Sequence, residues 1–184
     1  MTRAMFIPMA AGLLFAVPKL HAQDSAPLPE HKILAQQQGV WDAEISTIMP
    51  GQDPKEATKS KGVETNRLLA GKWLISDFKG EFFGSAFEGH GVNGYDAKKA
   101  KYIGTWVDSM SQHIDQMEGT YDEKTKTLTL NADSVNPASG QSMKMRLETQ
   151  FKDDDTRVFS EYVKMHGEKE FNKLMEIKYT KRKK

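Results

Sequence analysis

Beyond Gln38 the chain consists almost entirely of short stretches in which apolar and polar residues alternate, each ended by a turn signal. About ten such stretches follow one another, most about eight to eleven residues long, with no long helical pattern between them. Successive side chains of a strand point to opposite faces, so each stretch can bury one face and wet the other. The spacing predicts an all-β fold, an antiparallel barrel or sandwich. Tight tips between consecutive stretches favour an up-and-down meander that closes on itself and so removes its exposed edges. A closed barrel of this size has an interior that can hold one small ligand. An open sandwich is the competing fold, but neither a Cys–Trp–Cys pattern nor a long Greek-key connection supports it.

The expected strands run over 40–49, 61–69, 72–80, 86–95, 101–110, 113–121, 126–132, 142–152, 156–165 and 170–181. The stretch 142–152 alternates most cleanly, with Met143, Met145, Leu147, Thr149 and Phe151 against Ser142, Lys144, Arg146, Glu148 and Gln150. A short helix is expected over 30–38. Pro29 suits its first turn, Ile33 and Leu34 give it an apolar face, and Gly39 stops it. Such a helix can cover one end of a barrel or merely lead into it.

The first 22 residues have the pattern of an export signal: Arg3, an apolar run from Ala4 to Val17, a break at Pro18, and small Ala22 at a cleavage position. The run is too short to span a bilayer comfortably. A single domain over 23–184 is expected to follow, periplasmic or secreted and without stable membrane insertion. The chain has 0 cysteines, so an exported form must rely on its core alone, and thiolate chemistry and iron–sulfur clusters are excluded. A net charge of +1 gives no basic face for nucleic acid, and the terminal run Lys181 to Lys184 reads as a solvated tail.

Gly39-Val40-Trp41 opens the first strand directly after the helix. This resembles the Gly-x-Trp opening of lipocalins and the wider calycin barrels. The resemblance implies that the tryptophan packs across the closed base beneath a basic side chain of the last strand, here Lys178, Lys181 or Arg182. A longer set of segments is more specific: Arg67 to Leu74, Phe87-Glu88-Gly89, Gly94-Tyr95-Asp96, and Lys101 to Ser109. Together they resemble a bacterial family catalogued as a domain of unknown function, number 1579, over roughly Glu30 to Thr180. The resemblance implies a calycin-like barrel of about ten strands and no established activity.

The candidate ligand-binding residues are Arg67, Trp73, Trp106, Asp108, Met143, Met145 and Met175. Trp73 and Trp106 can line a pocket or fill a core. Trp106 and Asp108 share strand parity, so an inward Trp106 brings an inward carboxylate that needs a partner. Arg67 is the expected partner, because its fork matches a carboxylate. Met143, Met145 and Met175 fall on apolar faces, where flexible thioethers can adapt to varied apolar ligands or simply fill gaps.

The histidines His31, His90, His113 and His166 show no metal-ligand spacing. Asp153-Asp154-Asp155 is a hairpin tip, and the central glycines lie in and between strands rather than before a helix, so they form no phosphate loop. No cofactor is implied. The expected function is binding of a small, mainly apolar molecule. The alternatives are a barrel isomerase or hydrolase using Asp108 with His90 or His113, or an envelope protein whose barrel has no ligand.

Overall fold

The fold is a computed structural model that describes residues 26–49, 52–82, 84–136 and 139–183. The expected leader, residues 1–22, lies outside the described residues. Helix α1 (His31–Gln36) is followed by ten antiparallel strands: β1 (Gly39–Thr47), β2 (Thr58–Leu69), β3 (Trp73–Phe82), β4 (Ser85–Asp96), β5 (Lys101–Asp108), β6 (Asp115–Asp122), β7 (Thr127–Val135), β8 (Ser142–Phe151), β9 (Thr156–Met165) and β10 (Asn172–Lys181). Each strand pairs with its sequence neighbour, and β1 pairs with β10, so the meander closes into a barrel.

The expected strands are all present, with displaced ends. β2 begins earlier than its apolar residues suggest, because Thr58, Lys59 and Ser60 find ladder partners in Thr47, Ser46 and Ile45. β6 begins at Asp115 rather than His113, because the hydroxyl of Ser111 accepts from the His113 backbone and holds 109–114 as a loop. The helix ends short of Gln38, since the amides of Gln37 and Gln38 donate to Leu34 and Ala35 in a tightened last turn. The aspartates at three hairpin tips accept from the backbone two residues on: Asp96 from Lys98, Asp122 from Lys124 and Asp153 from Asp155.

Helix α1 closes one end of the barrel. Leu34 is fully buried and packs with Ile33, Leu74, Tyr102, Leu128 and Phe151. The Tyr102 hydroxyl donates to the Glu30 carbonyl at 2.9 Å, and burial pushes that phenol up to about 12. Trp41, only 2% exposed, donates from its indole nitrogen to the Gln37 carbonyl at 2.8 Å, tying helix to first strand.

Two cations flank Trp41. Lys181 of β10 lies 5.2 Å from the ring, so it fills the place open to Lys178, Lys181 or Arg182. Register settles the choice, since Lys181 pairs with Trp41 and shares its face. Lys178 has the opposite parity, and Arg182 reaches outward to Asp42. The second cation, Arg157 of β9, lies 4.7 Å from the ring.

Candidate functional site

The inward faces of the strands surround a cavity of about 630 Å3. It runs from Gln37 and Tyr179 at the helix end to Met110, Asn136 and Glu168 on the loops of the other end. Most of its wall is apolar, with Ile45, Phe78, Phe87, Met117, Leu147 and Phe159 among the contributors. Exposed Met49, Met110, Ile114 and Val135 all lie at the end away from the helix.

Trp106 forms a broad part of this wall. Its ring lies so close to the strand beside it that a Cβ at Gly89 would fall 2.1 Å from Cζ2, and one at Gly91 would fall 3.0 Å from Cε3. Both glycines face the lumen next to Trp106 and Asp108 in the β4–β5 register. Their missing side chains let the indole lie flat and leave space in front of it. Its Nε1 donates to Asp108 Oδ2 at 3.1 Å, and the backbone amide of Met110 donates to Asp108 Oδ1 at 2.8 Å.

At the helix end the polar groups form one network. Arg157 Nη2 donates to Glu64 Oε1 at 2.5 Å, Asn66 Nδ2 donates to the same oxygen at 2.5 Å, and Asn66 also donates to the Gln37 carbonyl at 3.0 Å. The Arg157 guanidinium lies 3.9 Å from the Tyr179 ring. Burial, and then the nearby Glu64 charge, push the Tyr179 phenol well above its ordinary value. Arg157 Nε and Asn66 Oδ1 are buried without a hydrogen-bond partner.

A second polar group surrounds Asp115. Ser134 Oγ donates to Asp115 Oδ1 at 2.5 Å, and His113 Nε2 lies 3.2 Å from that oxygen and 3.1 Å from Ser134 Oγ. Ser111 Oγ meets the other ring nitrogen at 2.9 Å. In a hydrolase triad the serine and the aspartate engage opposite nitrogens of the histidine. Here Ser134 and Asp115 both lie at Nε2 and the Ser134 proton is directed to the aspartate, so Ser134 is not activated as a nucleophile. Ser111 is the hydroxyl opposite Asp115 across the ring, and it also donates to the His113 carbonyl and accepts from the His113 amide.

Glu161 points inward from β9, its register partners being Leu147 and Met175. Among the described residues no donor reaches its carboxyl. Burial, with the Asp115 and Asp108 charges adding to it, pushes its pKa from 4.5 to about 7.

Of the residues expected to form the site, Trp106, Asp108, Met143, Met145 and Met175 line the cavity. Arg67 and Trp73 do not. Glu64, Asn66 and Leu68 face inward, so Arg67 between Asn66 and Leu68 points to solvent, and the expected Arg67–Asp108 pair does not exist. Trp73 likewise lies on the outer face, 38% exposed and packed over Gly94, because Leu74 beside it takes the inward position.

The expected His90–Asp108 pairing also fails. His90 sits outside against Asp77 at 2.7 Å, and the carboxylate that His113 meets is Asp115. His31 is buried on the helix, its Nδ1 2.7 Å from the Leu28 amide. Among the described residues no three His, Asp or Glu side chains are grouped to hold a metal ion. Glu64, Arg157, Asp115, Ser134 and Glu161 escaped the sequence reading. Their signal was strand parity, since Arg157 and Glu161 are in phase with Phe159 and Val163.

A family model described as "Protein of unknown function (DUF1579)" matches residues 26–181. Among solved structures the fold is similar to Rv2717c from M. tuberculosis, with a TM-score of 0.61 and 9% identity over 85% of this chain and 99% of that one. It is also similar to the S-type phycobiliprotein lyase CPES from Guillardia theta, with a TM-score of 0.56 and 10% identity over 85% of this chain and 94% of that one. At these identities the likeness is one of fold. No curated protein matches the sequence.

Proposed function

Because the chain belongs to the DUF1579 family, whose description assigns no activity, we propose from its own geometry that it binds a small, mainly apolar molecule inside its lipocalin-like barrel. The observation that carries this reading is the lumen itself. A volume of about 630 Å3 lies within the range of about 300–1,000 Å3 usual for small-molecule sites, and an apolar wall with a few fixed polar groups is their usual composition. The methionines at 143, 145 and 175 add adaptable surface. The similarity of fold to an S-type phycobiliprotein lyase supports a ligand-holding use of the barrel.

Native mass spectrometry on protein purified from its own cells tests the proposal. A co-purified small molecule, displaced by a neutral apolar probe that alters Trp106 emission, is the expected result. Protein that arrives empty and takes up no apolar probe overturns it.

The same reading includes export, with residues 1–22 removed after Ala22. N-terminal sequencing of the protein recovered from cell fractions tests this. Mature protein beginning at Gln23 outside the cytoplasm supports it, and uncleaved protein in the cytoplasm removes it. Among the described residues no helix is long and apolar enough to cross a membrane.

A further inference from the structure

The charges on the lumen wall are almost all of one sign. Asp108, Asp115 and Glu161 face it, and Glu81 and Glu168 reach it near the loops, in addition to Glu64. Among the described residues lining the cavity, Arg157 is the sole arginine or lysine, and it is committed to Glu64. Its charge is matched by Glu64, so no arginine or lysine on the lining carries an uncompensated positive charge toward a ligand carboxylate or phosphate.

The acids differ in what they still lack. Asp115 is satisfied by Ser134 and His113, and Asp108 by the Trp106 indole and the Met110 amide. Glu161 receives no donor from the described residues, although apolar Leu147 and Met175 flank it in the sheet. The residue is part-buried, and its carboxyl oxygens are not among the sealed atoms that lack a partner, so a hydrogen-bond donor entering the lumen can reach them. The missing partner is a hydrogen-bond donor, and a positive one best suits a group that Asp115 and Asp108 also influence.

Resting on the binding function proposed above, we propose that the ligand is a cationic amphiphile, an apolar body with a protonated nitrogen that docks on Glu161. The apolar body lies along Trp106 and the methionine face, and the nitrogen donates to the Glu161 carboxyl. The raised pKa of that carboxyl accompanies the geometry, since an ammonium beside it supplies a countercharge that the described side chains around Glu161 do not.

The test uses three probes with the same decyl chain: decylammonium, decanol and decanoate. Calorimetric titration is done at about pH 8, where the amine is charged and Glu161 is mostly ionised. Decylammonium is expected to bind at least about tenfold more tightly than decanoate, with decanol between them. Glu161→Gln is expected to remove most of the decylammonium advantage while leaving decanol within about twofold. Equal affinity for all three, or preference for decanoate, overturns the cationic assignment and leaves the apolar lumen standing. An ammonium preference that survives Glu161→Gln overturns Glu161 as the dock. Absence of binding by any of the three, decanol included, removes this proposal together with the binding function it rests on.

Discussion

Arg157 on β9 and Glu64 on β2, 93 residues apart in the chain, meet inside the barrel with Nη2 and Oε1 at 2.5 Å. The contact ties two strands that are not neighbours in the sheet, and it lies between the Trp41 and Tyr179 rings and the end of α1. Removing one member leaves the other charge buried and alone, at a cost of about 3–5 kcal/mol. Arg157→Met and Glu64→Gln are therefore each expected to lower the urea-unfolding free energy by several kcal/mol. Combining Arg157→Met with Glu64→Gln should cost less than the two single changes summed. Purely additive losses in that double-mutant cycle would show that the pair is not coupled.

Gly39 and Lys181 form a second linked pair. Gly39 has φ +128°, and a Cβ there would fall 3.0 Å from Lys181 Cε, on the stem that carries the ammonium over Trp41. Gly39→Ala thus meets backbone strain and displaces the lysine, with an expected loss of about 1–3 kcal/mol. Lys181→Met keeps the stem and loses the cation, costing about 0.5–1 kcal/mol. Thermal unfolding of the two variants checks the order. Gly39→Ala as stable as the parent would mean that the strand entry relaxes freely.

The barrel was legible because turn chemistry and period-two alternation agree along nearly the whole chain. Met143 and Met145 line the cavity on the face that the clear alternation over 142–152 separates from Ser142, Lys144 and Arg146. β2 offers no such contrast. Its inward positions hold Gly62, Glu64 and Asn66, its outward ones Val63, Thr65 and Arg67, and the polar inward residues serve a network that no local pattern announces. In β3 the run Trp73-Leu74-Ile75 is apolar on both faces, so parity there was unreadable until Leu74 was seen packed under the helix. Glu161 stayed hidden for a similar reason. Val158 and Tyr162 on one face balance Phe159 and Val163 on the other, and nothing local says which face holds the carboxyl.

The position of Glu161 makes stability depend on pH in a specific direction. Its folded pKa is raised from 4.5 to about 7, so folding takes up a proton between those values. The unfolded chain binds fewer protons in that window, and stability falls as pH rises through it. The full effect is at most about 3 kcal/mol, reduced by any water in the lumen. Glu161→Gln is expected to match the parent at about pH 4 and to exceed it by about 1–3 kcal/mol at about pH 8. Urea unfolding at both pH values checks this, and parallel profiles for the two proteins would show that the carboxyl is well hydrated.

Arg67 gives the opposite expectation. It lies on the outer face of β2 between inward Glu64, Asn66 and Leu68. Arg67→Ala should leave decanol affinity unchanged and alter stability by no more than about 0.5 kcal/mol, as exposed substitutions usually do. Loss of probe affinity in this variant would mean that the β2 register is wrong by one residue, since such a slip turns every side chain of the strand over.

Gly89 tests the wall itself. A Cβ there would lie 2.1 Å from Trp106 Cζ2, and the added carbon cannot be accommodated without moving the indole. The ring is backed by the strand, so its free direction is into the cavity. That movement also breaks the bond from Nε1 to Asp108 and takes up ligand space. Gly89→Ala is expected to weaken decanol binding by about tenfold, destabilise the fold by about 1–3 kcal/mol, and shift the Trp106 indole N–H resonance. In a Trp106→Leu background the same alanine meets less obstruction, and its cost should shrink. Gly89→Ala with an unshifted indole signal and parental affinity would mean that the ring does not lie against this strand. The lumen in front of it would then have a different shape.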